Sequence, residues 1–167
     1  VSEEEYEEFY RHISHDWNKP ARRIFFKAEG GMEFRALLFI PSKAPLGIFI
    51  RDVFRGIQLY IRRVFIMDDC RELIPEYLRF LKGLVDSEDL PLNISREMLQ
   101  QSPQVETIRK SVARKVLDSL SGMLKEDRET YHSFWKEYGK VLKEGIFSDS
   151  RNRDRILEIS LFDTTGT

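Results

Sequence analysis

The chain has 167 residues, a net charge of −1, 41% apolar and 33% charged residues, which suits one domain, or one with a small appendage, and a real hydrophobic core. Near-neutral charge excludes a global field for nucleic acid or an anionic membrane, and no apolar run approaches the roughly twenty residues that span a bilayer. One cysteine, Cys70, excludes an internal disulfide framework and fits a reducing compartment.

In chain order, residues 3–14 alternate acids with Tyr6, Phe9, Tyr10 and Ile13, the stripe of a helix behind a solvated face. The opening Val-Ser-Glu-Glu-Glu-Tyr is neither a signal peptide nor an initiator start, so a piece of a longer chain is expected. After the Asp16–Pro20 loop, Arg22–Ala28 and Met32–Ile40 read as strands joined by a hairpin turn at Glu29-Gly30-Gly31. Pro41 and Pro45 stop the second strand. Ile57–Met67 reads as a third β run, rich in β-branched and aromatic residues. Pro75 opens a short helix through Phe80, and Lys82–Asp86 is one more strand.

Beyond Pro103 the periodicity turns helical. Val105, Ile108, Val112, Val116, Leu120 and Met123 recur at steps of three and four and predict a long amphipathic helix. A second helix carries Tyr131, Phe134, Trp135, Tyr138, Val141 and Leu142 and ends near Gly145. A third starts near Ser148 and carries Ile156, Leu157 and Ile159. The expected class is α/β: an α-β-α sandwich with a mixed sheet over residues 1–102, then a compact three-helix segment over 103–167. With no flexible linker between them, the two parts should pack directly.

Residues 86–101 hold the most pointed chemistry. Ser95 can cap a helix, which puts Arg96 in its first turn, where exposed backbone N–H groups favour an anion over a cation. An arginine that accepts this cost often has an anionic partner such as phosphate. Gln100 lies one turn on, on the same face, and Asn93 stands just ahead. The same arginine could instead be satisfied on the surface by Glu97 or Asp89.

Other motifs are absent or weak. No phosphate-cradling Gly-rich loop and no Gly-x-Ser-x-Gly elbow occurs, so the chain offers no nucleotide pocket of its own. His12, His15 and Asp16 lack a matched second pair, and no metal site is expected. Asp68 and Asp69 beside Cys70 argue against a catalytic thiol. Arg109, Lys110, Arg114 and Lys115 make a basic helix face, but without interleaved aromatics no nucleic acid is expected. Leu46, Ile48, Phe49, Ile50, Val53, Phe54 and Ile57 crowd a loop segment that is either core or an exposed apolar surface for a protein partner. Trp17, in a turn-like polar loop, is a similar case.

Ser-Glu-Asp-Leu-Pro-Leu-Asn-Ile-Ser-Arg-Glu-Met-Leu-Gln-Gln, residues 87–101, resembles the signature of the middle domain of the ninety-kilodalton heat-shock chaperones. The likeness continues through residues 33–41, 59–66 and 75–83, and through Phe134–Gly139 and Leu142–Gly145 in the helical part, so it covers nearly the whole chain in collinear order. Arg51, Asp52 and Arg55 stand where eukaryotic cytosolic members are lysine-rich, which makes the chain most like the bacterial branch.

The resemblance implies the fold of the second domain of a small-subunit ribosomal protein and a cytoplasmic, ATP-dependent chaperone of the stress response that folds client proteins. ATP with Mg would be bound by an N-terminal domain absent from this chain, as are a small α/β unit and the C-terminal domain through which the full-length protein would form a homodimer. None of the nucleotide would be bound by this chain alone. Arg96 would reach the γ-phosphate with Asn93 and Gln100 as companions, and Trp17, Phe65 and the loop residues Leu46, Ile48, Phe49 and Phe54 would contact unfolded or partly folded clients. A pure protein-interaction module with a structural Arg96 segment is the alternative.

Overall fold

The computed structural model describes residues 2–14, 20–28, 33–42 and 57–160. Helix α1 (Glu3–Ser14) opens on a reciprocal cap. Ser2 Oγ accepts from the Glu5 N–H at 3.2 Å, and the Glu5 carboxylate accepts from the Ser2 N–H at 2.9 Å. Five strands follow: β1 (Arg22–Ala28), β2 (Phe34–Ile40), β3 (Ile57–Ile61), β4 (Val64–Cys70) and β5 (Lys82–Ser87). They form one mixed sheet in the order β1-β2-β5-β3-β4. All neighbours are antiparallel except β3 and β5, which run parallel with Leu59 opposite Val85. The Glu29–Gly31 turn lies outside the described residues, but the β1–β2 register, Arg22 opposite Ile40 through Ala28 opposite Phe34, is that of a hairpin.

The third β run divides in two. Arg62 and Arg63 adopt positive φ of 48° and 69°, folding Ile57–Cys70 into a two-residue hairpin in place of one strand. Such turns are usually marked by Asn or Gly. Here Asp86 Oδ1 accepts from the Arg63 N–H at 3.2 Å and the Ser87 carbonyl accepts from the Arg62 N–H at 2.9 Å. These bonds hold a conformation that neither arginine favours alone.

Period-two burial sorts the sheet into two faces. Phe34, Ala36, Leu38 and Ile40 of β2 face the main core, and Phe39 turns to the other side, where the Tyr10 ring of α1 packs on it at 5.2 Å. The main core is closed by α3 (Pro103–Glu126), α4 (Arg128–Ser148) and α5 (Arg153–Ile159). One apolar cluster runs without a break from Ile24 and Phe26 through Leu59, Tyr77 and Phe80 to Val112, Phe134 and Ile159, joining the sheet to the helices. The architecture is thus α/β, with helices on both faces of a mixed sheet.

The short helix expected after Pro75 is a single 3₁₀ turn, Glu76–Leu78, and α4 runs on past Gly145 to Ser148. Gly145 serves packing and not termination. A Cβ there would lie 2.7 Å from the Ile156 Cδ1 and 2.8 Å from the Tyr77 ring, so its bareness lets α4 seat against both. Beside it, Asp149 accepts from the Tyr77 hydroxyl at 2.5 Å and from Asn152 Nδ2 at 2.8 Å. Burial pushes the Asp149 carboxyl up, but the bonds from Asn152 and Tyr77 outweigh this and hold it below the usual range.

Arg79 fastens the two parts of the chain. Its side chain is buried and makes a bidentate pair with Glu144 of α4, both contacts at 2.8 Å, while Nη1 also donates to the Glu76 carbonyl at 3.0 Å. Removing one partner strands the other charge in the interior. Glu144→Ala is therefore expected to destabilise the protein by about 3 kcal/mol, lowering the thermal midpoint by about 6–12 °C. A midpoint within about 2 °C of the wild type would show that Arg79 finds compensation elsewhere.

Candidate functional site

The sheet delivers the Arg96 segment directly. β5 is the central strand, and the chain leaves it at Ser87, whose Oγ accepts from the Asp89 and Leu90 N–H groups at 3.3 Å each. Asp89 in turn accepts from the Glu33 N–H at 2.8 Å, so that carboxylate is spent on the backbone ahead of β2. Leu90, Ile94 and Leu99 point inward and are buried, which leaves Leu92, Asn93, Arg96, Met98 and Gln100 facing out. The helix α2 (Arg96–Gln101) starts as its cap predicts: Ser95 Oγ accepts from the Met98 N–H at 3.2 Å, and Arg96 is the first helical residue.

Arg96 Nη1 pairs with the Glu72 carboxylate at 3.2 and 3.5 Å, and Nη2 donates to the Asp69 carbonyl at 2.6 Å. Glu97 and Asp89, the partners that local sequence offers, are not the ones it takes. The true partners sit 24 and 27 residues upstream, at the end of β4 and in the 3₁₀ turn Arg71–Leu73. Only the antiparallel return of β4 beside β3 brings them there, and no spacing rule in the sequence signals it. The Arg96 side chain is 48% exposed and that of Glu72 only 13%. Arg109 of α3 clamps the same turn from behind, Nη1 donating to the Glu72 carbonyl at 3.3 Å while the guanidinium pairs with Glu106.

Cys70, buried at the foot of this cluster, has its thiol pushed up to about 12 by burial first and by the Glu72 carboxylate second. The thiolate is disfavoured, as expected, but the agents are not the adjacent Asp68 and Asp69. Asn93 and Gln100 are both exposed and make no side-chain hydrogen bond among the described residues. They flank Arg96 on the turn before and one helical turn after. Leu92 and Met98 beside them are large apolar side chains left 44% and 43% exposed. The surface is a guanidinium and two amides set among apolar groups.

The other predicted contact residues fall apart from this cluster. Phe65 lies on the edge strand β4, 51% exposed, its ring edge-on to Tyr60 at 5.5 Å. Trp17, Leu46, Ile48, Phe49 and Phe54 lie outside the described residues. Among the described residues no group of three or more His, Cys, Asp or Glu side chains could hold a metal ion, and no helix is long and apolar enough to cross a membrane.

A mixed sheet between helices, with an arginine-centred surface after its central strand, defines an α/β domain. The chain belongs to the Hsp90 protein family, whose model matches residues 1–167. It is 55% identical over 166 residues to the chaperone protein HtpG of Nocardia farcinica, covering 99% of this chain and 26% of that protein. With the HtpG of Bdellovibrio bacteriovorus the identity is 52% over 167 residues, 100% of this chain and 27% of the other. The chain thus spans about a quarter of the length of these bacterial relatives, at 26% and 27%. Its fold matches the middle domain of a Plasmodium falciparum heat shock protein with a TM-score of 0.83 at 29% identity, over 96% of this chain and 62% of that one.

Proposed function

We propose that this chain is the middle segment of an ATP-dependent chaperone, and that Arg96 completes a hydrolytic site whose nucleotide is bound by an N-terminal domain of the full-length protein. The observation that carries the reading is the half-exposed Arg96 side chain at the start of α2, between exposed Leu92 and Met98 and beside exposed Asn93 and Gln100. Apolar groups that large beside a solvent-facing guanidinium suit a surface that another domain covers. On closure, Arg96 stabilises charge developing on the transferring phosphoryl group, and Asn93 and Gln100 order the polar contacts around it. The relatives' names as chaperones, and the absence of a phosphate-cradling loop from this sequence, agree with a site divided between domains.

Mixing this chain with the isolated N-terminal nucleotide domain tests the reading. ATPase activity is expected to rise on addition of the wild-type chain and not of its Arg96→Ala form; equal stimulation by both would sink it. A second surface is favoured by Phe65 and Tyr60, whose paired rings lie on β4 and β3, the last two strands of the sheet among the described residues. A half-exposed Phe65 on an edge strand, backed by a half-buried Tyr60, suits unfolded, apolar client segments. Phe65→Ala is expected to weaken client capture several-fold without altering turnover. If Arg96→Ala leaves turnover intact while Phe65→Ala abolishes capture, the chain is a protein-interaction module alone. Homodimerisation, in this reading, belongs to a C-terminal domain, and the protein works in the cytoplasm.

A further inference from the structure

We infer that the cleft between the two 3₁₀ turns, α3 and the α4–α5 junction binds a small aromatic anion, a ring system that carries a carboxylate or sulfonate. The inference stands apart from the role proposed for Arg96, since none of Asn93, Arg96 and Gln100 lines this cleft. Its volume is about 910 Å³, within the roughly 300–1,000 Å³ typical of small-molecule sites. Ile74, Pro75, Tyr77 and Ala113 supply apolar lining, and three of them, Ile74, Tyr77 and Ala113, belong to the core. That part of the wall is therefore fixed by packing. Phe147, in the last turn of α4, also lines the cleft and is 88% exposed, the barest large apolar side chain among the described residues. An uncovered ring beside an apolar wall offers a flat face to an aromatic partner.

The charged groups decide the sign of the ligand. The carboxylates that line the cleft all have partners. Glu106 pairs with Arg109, Glu144 pairs with the buried Arg79, Asp149 accepts from Tyr77 and Asn152, and Glu76 is not free either. Among the cations, Arg109 is held by Glu106 and the Glu72 carbonyl, and Arg71 by Asp69. Lys110 and Arg151 differ: both are exposed, and their side chains make no hydrogen bond or ion pair among the described residues. The acids are spent, and two cations remain, Lys110 on α3 and Arg151 between α4 and α5. A carboxylate entering the cleft gains charge-assisted hydrogen bonds from them, while its ring lies against Phe147 and the apolar wall.

Titration of the isotope-labelled chain with naphthoate, followed by amide chemical shifts, tests this. The largest shifts are expected at Phe147–Asn152, with saturable binding. Arg151→Ala and Lys110→Ala are each expected to weaken binding about tenfold, and Phe147→Ala about three- to tenfold. All three side chains are exposed, so the variants should fold. Naphthalenemethanol, which keeps the ring and lacks the charge, is expected to bind at least about tenfold more weakly. A loss in only one of the two cation variants keeps the site and assigns the carboxylate to that residue. No saturable binding, equal binding of the acid and the alcohol, or unchanged naphthoate affinity in both cation variants overturns the proposal. Shifts centred on Phe65, or on Leu92 and Met98, do the same.

Discussion

Full-length protein carrying Arg96→Ala is expected to hydrolyse ATP roughly 10- to 100-fold more slowly than wild type while binding ATP with nearly unchanged affinity. An arginine supplied to a phosphoryl group from a separate body can be worth about a thousandfold or more. A smaller loss is expected here because, in the proposed reading, closure of the domains limits turnover alongside the chemistry. Affinity should hold because the nucleotide's own contacts belong to another domain in this reading, and Arg96 meets it only on closure. Arg96→Lys is a sharper version of the same experiment. Lysine keeps the charge but presents a point donor in place of a planar fork, so it should recover little of the loss. Stability is expected to change by only about 1 kcal/mol, since the Arg96 side of its pair with Glu72 is 48% exposed. Parallel ATPase, nucleotide-binding and melting measurements separate these outcomes. A mutant that melts normally and turns over normally would return Arg96 to a surface ion pair.

The second large effect lies in the sheet that carries this segment. Gly83 sits in the middle of β5, opposite Leu38 of β2, with φ at +137°. That region is closed to side-chain-bearing residues. A Cβ would also fall 2.0 Å from the Leu37 carbonyl oxygen and 3.0 Å from the Leu38 Cα. Both obstacles are backbone atoms of a neighbouring strand, so no rotamer change relieves them. Gly83→Ala is therefore expected to cost about 4 kcal/mol or more, a fall of at least about 8 °C in melting midpoint. Because β5 runs straight into the Arg96 segment, activity should fall alongside stability. Loss of activity at full stability, or a midpoint within about 2 °C of wild type, would contradict this account.

How much of this was legible in the sequence depends on how local the cause is. The helix opened by Ser2 and Glu5, the cap at Ser95 and the long stripe from Val105 to Met123 each follow from residues three or four apart, and each is present. The β3–β4 hairpin was hidden because its turn is two arginines, held at positive φ by groups from β5. Gly145 carried the signature of a helix end, but its smallness answers to Tyr77 and Ile156 across the core. The anion-seeking character of Arg96 could be read from its place in a first turn. Its actual partners could not, because Glu72 and Asp69 reach it through strand topology and not through spacing.

The order of strands in the sheet has a consequence for how the protein is made. β5 lies between β2 and β3 yet follows both in the chain. During synthesis the hairpins β1–β2 and β3–β4 can each form from near neighbours, but each is left with an open inner edge until the last strand emerges. Insertion of β5 zips the two ribbons into one sheet, antiparallel on one side and parallel on the other. Because residues 88–96 follow that strand directly, the arginine surface is drawn into position by the same event that closes the sheet. A ribosome-bound chain halted before Lys82 would hold two hairpins and no such surface.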